Sequence, residues 1–256
     1  MMKFGFNTTI AQYPVAAECG ADYLDILITD LVNASRAELS SFVKAVEKTG
    51  VELYSGVCLT PPTLRLTGDI DLAAIRDYSR DAFSRMAEVG LRIPVFGSAG
   101  SKSVPDGFPR AKAWEQLYAV ASIFADEAER YGMTVVIEGL RRAVVNIVNT
   151  VDEAAEYARH VGRSGIQLLA DFYHVNENGE PLSSIEAHRD ILRHVHMCSP
   201  ARGMTDAEDT DFLRERFALL KRMGYEGRIS FEGNKPEDCA GMREMLDTWR
   251  AIYAEA

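Results

Sequence analysis

Val135-Val136-Ile137-Glu138 is an apolar run closed by a carboxylate. It has the length and composition of a buried strand, and the pattern returns three more times. Leu168-Leu169-Ala170-Asp171, His194-Val195-His196 and Ile229-Ser230-Phe231-Glu232 each end an apolar run on an acid or an imidazole. A charge at the end of such a strand is costly to desolvate unless something pairs with it. Four of them at regular intervals call for a shared partner, and a divalent cation is the simplest one.

Working outward from these runs, strand and helix patterns alternate eight times. Lys3 to Asn7, Tyr23 to Thr29, Val51 to Leu59 and Arg92 to Phe96 read as the first four strands. Met133 to Glu138, Ile166 to Asp171, Leu192 to Met197 and Arg228 to Glu232 complete the set. Apolar residues recur at helical spacing in Ala37 to Lys48, Asp71 to Val89, Ala111 to Tyr131, Val151 to Val161, Thr210 to Met223 and Glu237 to Tyr253, with a short segment from Ser183 to His188. Gly50, Gly90, Gly132 and Gly224 fall just after helical runs, where a left-handed cap is wanted. Strict alternation predicts a parallel sheet, and eight units favour a single α/β domain over residues 1–256, a (β/α)8 TIM barrel. An open doubly wound sheet is the alternative. Against it, Asn7-Thr8-Thr9 follows the first strand in place of a GxGxxG turn.

The chain has 256 residues, 47% of them hydrophobic, which is ample for one buried core. Its net charge of −10 would repel a polyanion, so nucleic acid is not an expected partner. No apolar stretch is long enough for a membrane span, and Met1 to Asn7 lacks a leader's apolar segment, so a cytoplasmic protein is expected. Cys19, Cys58, Cys198 and Cys239 lie far apart without a CxxC pair and read as reduced thiols, with Cys198 either lining a pocket or filling the core.

A barrel places its active site at the C-terminal ends of the strands. Glu138, Asp171, His196 and Glu232 would stand there on strands five to eight and converge near the axis. Three carboxylates and an imidazole suit one divalent ion such as Mn, Mg, Co or Zn. Without it the crowded carboxylates repel, and at least one should take up a proton. Each residue alone has a plainer reading. Glu232 could form a loop ion pair, Asp171 could cap the next segment, and His196 could be a hydrogen-bonded core histidine. His194 shares the face of His196 but lies deeper, and is expected to be a buried supporting group.

The pattern resembles the xylose isomerase-like barrel superfamily of sugar-phosphate isomerases and epimerases, over nearly the whole chain and most specifically over residues 133–234. Within it, the ketose 3-epimerases and hydroxypyruvate isomerases are the nearest in pattern. The resemblance implies one metal held by Glu138, Asp171, His196 and Glu232. It also implies substrate contacts from His174 in Asp171-Phe172-Tyr173-His174 and from Arg202 in Ser199-Pro200-Ala201-Arg202. A small carbohydrate or keto-polyol substrate and a homo-dimer or tetramer follow from the same resemblance. The chain departs from the epimerases at three places. Val144 stands where they carry an additional Glu, Met197-Cys198-Ser199-Pro200 follows the metal His, and Gly139-Leu140-Arg141-Arg142 follows the first ligand. These positions touch substrate, so the sugar is left open.

In the chemistry so implied, the ion polarises a ketone oxygen and a neighbouring hydroxyl and stabilises an enediolate. Glu138 and Glu232 form the acid/base pair, one removing a proton and the other delivering it. His174 donates to a substrate oxygen, and Arg202 clamps a hydroxyl, carboxylate or phosphate unless it pairs with Asp206 or Asp209. Gly97 to Lys102, after strand four, reads as a solvated loop more readily than as an anion cradle. Arg141-Arg142 reads as surface charge, Trp114 and Trp249 as packing residues, and Tyr13 as a pocket wall. Several rivals use the same barrel. A three-zinc DNA-repair endonuclease and a classical aldose isomerase both need early histidines, yet the first histidine here is His160. A metal-dependent dehydratase of a cyclic keto-polyol, of the inosose or dehydroshikimate type, needs the same ligands, and a non-catalytic sugar-binding barrel needs none.

Overall fold

The computed structural model describes residues 2–235 and 238–256. Among them, eight strands hydrogen-bond in chain order into a closed barrel, β1 meeting both β2 and β8. The strands are β1 (Lys3–Thr8), β2 (Tyr23–Leu27), β3 (Leu53–Val57), β4 (Ile93–Phe96), β5 (Val135–Glu138), β6 (Ile166–Asp171), β7 (Leu192–Met197) and β8 (Arg228–Phe231). All neighbours pair in parallel. The helices are α1 (Tyr13–Ala16), α2 (Ile28–Asn33), α3 (Arg36–Thr49), α4 (Leu72–Glu88), α5 (Ala99–Lys102), α6 (Arg110–Tyr131), α7 (Val151–Val161), α8 (Phe172–Glu177), α9 (Ser183–Ala187), α10 (Thr210–Arg222) and α11 (Cys239–Glu255). This is a single (β/α)8 TIM barrel, and the open-sheet alternative falls.

The long helices start and stop where capping chemistry puts them. Ser35 accepts from the Glu38 N–H while the Glu38 carboxylate accepts from the Ser35 N–H, a reciprocal box that opens α3. Asp71 and Thr150 cap α4 and α7 in the same sense, so Asp71, read as the first helical residue, stands just outside. Gly50 and Gly132 end α3 and α6 in the left-handed conformation. The expected last helix began at Glu237, which lies outside the described residues; the observed one begins at Cys239. Four short helices were not expected: α1, α2, α5 and α8. Each is a single turn or little more at the barrel mouth, too short for a 3.6-residue period to show.

Alternation along each strand separates two environments. Val135 and Ile137 of β5 point outward into the layer beneath the helices, whereas Val136 points inward to meet Val57, Ile93, Val95 and Leu169 in the barrel interior. By the same alternation Glu138 faces the interior above Val136, and His194 and His196 share the inner face of β7. The outer layer is rich in aromatics. Trp249, fully buried, packs edge-on to Phe4 and Phe231 and donates its indole N–H to the Thr205 hydroxyl at 2.7 Å. Trp114 packs edge-on to Tyr157.

One expectation is overturned here. Cys19 and Cys239 are joined in a disulfide with a Cα–Cα distance of 4.7 Å, leaving Cys58 and Cys198 as the free thiols. Their separation of 220 residues hid the pair. It is barrel closure that brings the end of α1 beside the start of α11. Among the described residues no helix is long and apolar enough to cross a membrane.

Candidate metal centre

Glu138, Asp171, His196 and Glu232 meet at the C-terminal end of the barrel. Each offers one ligand-type atom, and these atoms all lie within 4.8 Å of one another. Glu138 and Asp171 are the last residues of their strands, and Asp171 pairs in register with His196. Glu232 stands one residue beyond β8, but its N–H still bonds the Met197 carbonyl at 3.2 Å, so the ladder holds its backbone. Nδ1 of His196 lies 2.7 Å from Glu232 Oε2 and 3.6 Å from Glu138 Oε1. Neither ring nitrogen makes a well-directed hydrogen bond, and Glu138 Oε1 and Asp171 Oδ2 are likewise buried without a partner. Buried polar atoms are nearly always paired, so three such orphans in one cluster, His196 Nδ1, Glu138 Oε1 and Asp171 Oδ2, make it a candidate cation site.

Asp171 combines its two readings. Oδ1 caps α8 by accepting from the Tyr173 N–H at 2.8 Å, and Oδ2 is left over, 3.7 Å from His174 Nε2. The helix cap thus fixes the carboxylate while one oxygen stays available. Burial raises the Asp171 pKa to about 6, with Glu232 and Glu138 adding to the rise and His174 and His196 opposing it. This is the proton uptake expected of crowded carboxylates. Burial disfavours the imidazolium of His196, but Glu232 and Glu138 beside it carry its pKa well above the ordinary range. Burial pushes Glu232 up, and His196, His174 and Arg202 outweigh it, leaving the group lowered.

The rim carries both residues expected to touch substrate. His174 is buried, its Nδ1 accepting from the Arg141 N–H at 3.4 Å. Arg202 lies over the Tyr173 ring at 5.0 Å and is drawn to the Glu232 and Asp171 carboxylates. It does not turn to Asp206 and Asp209, which close a turn on each other. Arg202 has φ +61°, and its carbonyl accepts from the Asn234 N–H at 2.8 Å, which ties the loop to the end of β8. Arg141 is more than surface charge: it flanks the same Tyr173 ring at 5.5 Å and pairs with Glu177 at 2.9 Å. Cys198 is buried in the hydrophobic core, and burial together with Asp171 and Glu232 pushes its thiol pKa up.

Two residues at this site escaped the sequence reading. Lys102, in the segment read as a solvated loop, is fully buried, and Nζ donates to the Glu138 carbonyl at 3.1 Å. Burial lowers its pKa to about 8, with Glu138 and Glu153 working the other way. Gly97 is the second: a Cβ there would run into Glu138 Oε2. Hence the corner after β4 is shaped around the Glu138 carboxylate. The only available signal was a lysine next to a glycine-rich turn, which fits an exposed loop equally well. Tyr13, expected as a pocket wall, instead packs on Phe42 in the outer layer and bonds Thr49 and the Val51 carbonyl. A second group, Asp25, His194 and His196, lies beneath the four.

Comparisons with known proteins agree with this picture. The profile of the xylose isomerase-like TIM barrels matches residues 14–252. A ketose 3-epimerase from Arthrobacter globiformis is 32% identical over 133 residues, 51% of this chain and 46% of its own length, so the match spans about half of that relative. An L-ribulose 3-epimerase from Methylomonas sp. (strain DH-1) is 26% identical over 251 residues, covering 94% of this chain and 84% of its own. Among solved structures, a 3-keto-D-glucoside 4-epimerase from E. coli superposes with a TM-score of 0.82 at 22% identity, covering 98% of this chain and all of that one (100%). With residues 14–252 matched, the chain belongs to the xylose isomerase-like TIM barrel family.

Proposed function

We propose that the protein is a divalent-metal-dependent epimerase or isomerase of a small keto-sugar, free or as a glycoside. The observation that carries the reading is the convergence of Glu138, Asp171, His196 and Glu232 with buried, unpartnered atoms aimed at one point. The relatives support the class, since two are named as 3-epimerases of ketoses and one solved neighbour as a keto-glucoside 4-epimerase. These four side chains would hold the ion, for which Mn, Mg, Co and Zn all fit an oxygen-rich set with one imidazole. When bound, it supplies Lewis-acid stabilisation to the negative charge that develops on a substrate oxygen.

The remaining chemistry belongs to the chain. Glu138 and Glu232 come from β5 and from the end of β8, so they approach a sugar carbon from different sides of the mouth. One removes the proton next to the carbonyl and the other, already protonated, delivers its own proton to the opposite face. Lys102 and Gly97 hold Glu138 in place for this. His174 donates to a substrate oxygen, and Arg202, stacked on Tyr173, binds the oxygens that project toward the rim.

The test is incubation with ketoses, ketose phosphates, keto-glycosides and inososes in deuterated water with Mn. Deuterium at one carbon with inversion of that centre is the expected result. Loss of water instead would assign a dehydratase, and no exchange into any of them would leave a sugar-binding barrel.

A further inference from the structure

Below the four candidate ligands lies a closed polar layer that the reaction does not use directly. Asp25 of β2 is fully buried, and neither of its carboxylate oxygens has a hydrogen-bond partner. His194, also fully buried, turns Nε2 into the same space, 3.2 Å from Ser55 Oγ, 3.1 Å from Ser230 Oγ and 3.8 Å from Asp25 Oδ2. The Tyr23 hydroxyl closes the layer on Ser230 at 2.7 Å. Asp25, His194 and His196 each contribute an atom to a set lying within 4.8 Å of one another. The rings of the two histidines stand edge to face, 5.0 Å between centroids.

A fully buried carboxylate with no donor is among the costliest arrangements in a protein interior. Ser55, Ser230 and Tyr23 are already engaged with His194 or with each other. Two imidazoles of this cluster keep an unpartnered nitrogen, Nδ1 of His194 and Nε2 of His196, and of the two it is His196 that belongs to the candidate metal centre. Its Nδ1 faces Glu232 and Glu138, and its Nε2 is buried and unpartnered. A neutral imidazole that gives one nitrogen to a cation must carry its proton on the other.

We propose that Asp25 is a positioning residue for the metal centre: its carboxylate, grouped with His196 within 4.8 Å, favours the proton on Nε2 of that ring, and so fixes the tautomer and leaves Nδ1 for the ion. The inference rests on the metal-centre reading above. It extends the site from strands β5–β8 to the opposite wall, and it explains why an aspartate is fully buried in the barrel interior. His194 and the two serines hold the floor on which this contact rests. Carboxylates that hold a metal-binding histidine in this way set both its orientation and its basicity, and their loss weakens metal binding by about 10–100-fold.

The experiment is Mn titration of the full chain by calorimetry, for the wild type, Asp25→Asn and Asp25→Ala. Asp25→Asn keeps an acceptor oxygen but loses the charge, and is expected to bind Mn about 10-fold more weakly; Asp25→Ala should approach 100-fold. A residue that merely filled the core would lower the melting temperature of the metal-free variants and leave Mn affinity unchanged, and that outcome would overturn the proposal. A wild type that binds no Mn would instead remove the metal-centre reading, and this inference with it. Histidine nitrogen NMR of the Zn-loaded wild type needs no variant to fold. His196 as the Nε2–H tautomer is expected, and the Nδ1–H tautomer would overturn the proposal independently.

Discussion

The two halves of the barrel wall do different work. Strands β5 to β8 end in charge, with Glu138, Asp171, His196 and then Glu232 at the mouth. Strands β1 to β4 end in small or apolar groups, among them Thr8, Leu27, Val57 and Phe96. What the first half contributes is fit. Gly97 leaves room for the Glu138 carboxylate, Lys102 grips its peptide carbonyl, and Asp25 sits beneath His196. A site of this kind depends on a rigid support for side chains whose own chemistry is generic.

If the second half carries the chemistry, Glu138→Gln and Glu232→Gln should each reduce solvent exchange into substrate by about 10²–10⁴-fold, the range lost with a general acid or base. Normal turnover in either would break the division at once. The first half's share is read by Gly97→Ala, whose methyl must displace the Glu138 carboxylate. Turnover should fall by about 100-fold, as small misplacements of a reacting group do. A wild-type rate would show that β4 is a bystander.

Mn should raise the melting temperature, and a chelator should reverse it. At a concentration 100 times the dissociation constant the stabilisation is about 2.7 kcal/mol, which for a chain of this size amounts to roughly 5–10 °C. An unchanged melt would count against any bound ion. The shift should also grow with pH. Asp171 has a raised pKa of about 6, so in the metal-free protein its contribution to stability is present below the unfolded value of about 3.9 and lost as pH rises through 6. His196 is raised too, its contribution persisting until pH passes its elevated value. Protons on these two groups compete with the ion, so the Mn-induced shift should be larger at pH 8 than at pH 5.5, measured by the same melts. The smallest effect on the site belongs to the disulfide. Cys19→Ser with Cys239→Ser should cost about 2–4 kcal/mol of stability, read by denaturant unfolding, and leave Mn affinity unchanged. A loss of affinity would mean that α1 and α11 brace the centre.

The same division explains what could be read from the chain alone. The barrel and the four residues of the candidate centre were legible because both are written in local order. Apolar runs of strand length recur, and a charge that ends such a run stands out against its neighbours. His174 and Arg202 came with the family resemblance, and both lie at the rim beside Tyr173. The supporting half was not legible. Lys102 beside a glycine-rich turn looks solvated until β5 is placed against it, and Asp25 in Tyr23-Leu24-Asp25-Ile26-Leu27 looks like the polar face of any strand. The Cys19–Cys239 pair is further apart still, and only closure makes the two neighbours. Contacts made across the barrel leave no periodic trace in sequence.

The pairing of β1 with β8 has a consequence for how the molecule forms. Tyr23 meets Ser230 across 207 residues, and Asp25 faces a histidine from β7, so the barrel interior joins the two ends of the chain. The layer beneath the candidate cation site, which takes Asp25 from β2 and His194 from β7, is complete only when that seam is closed.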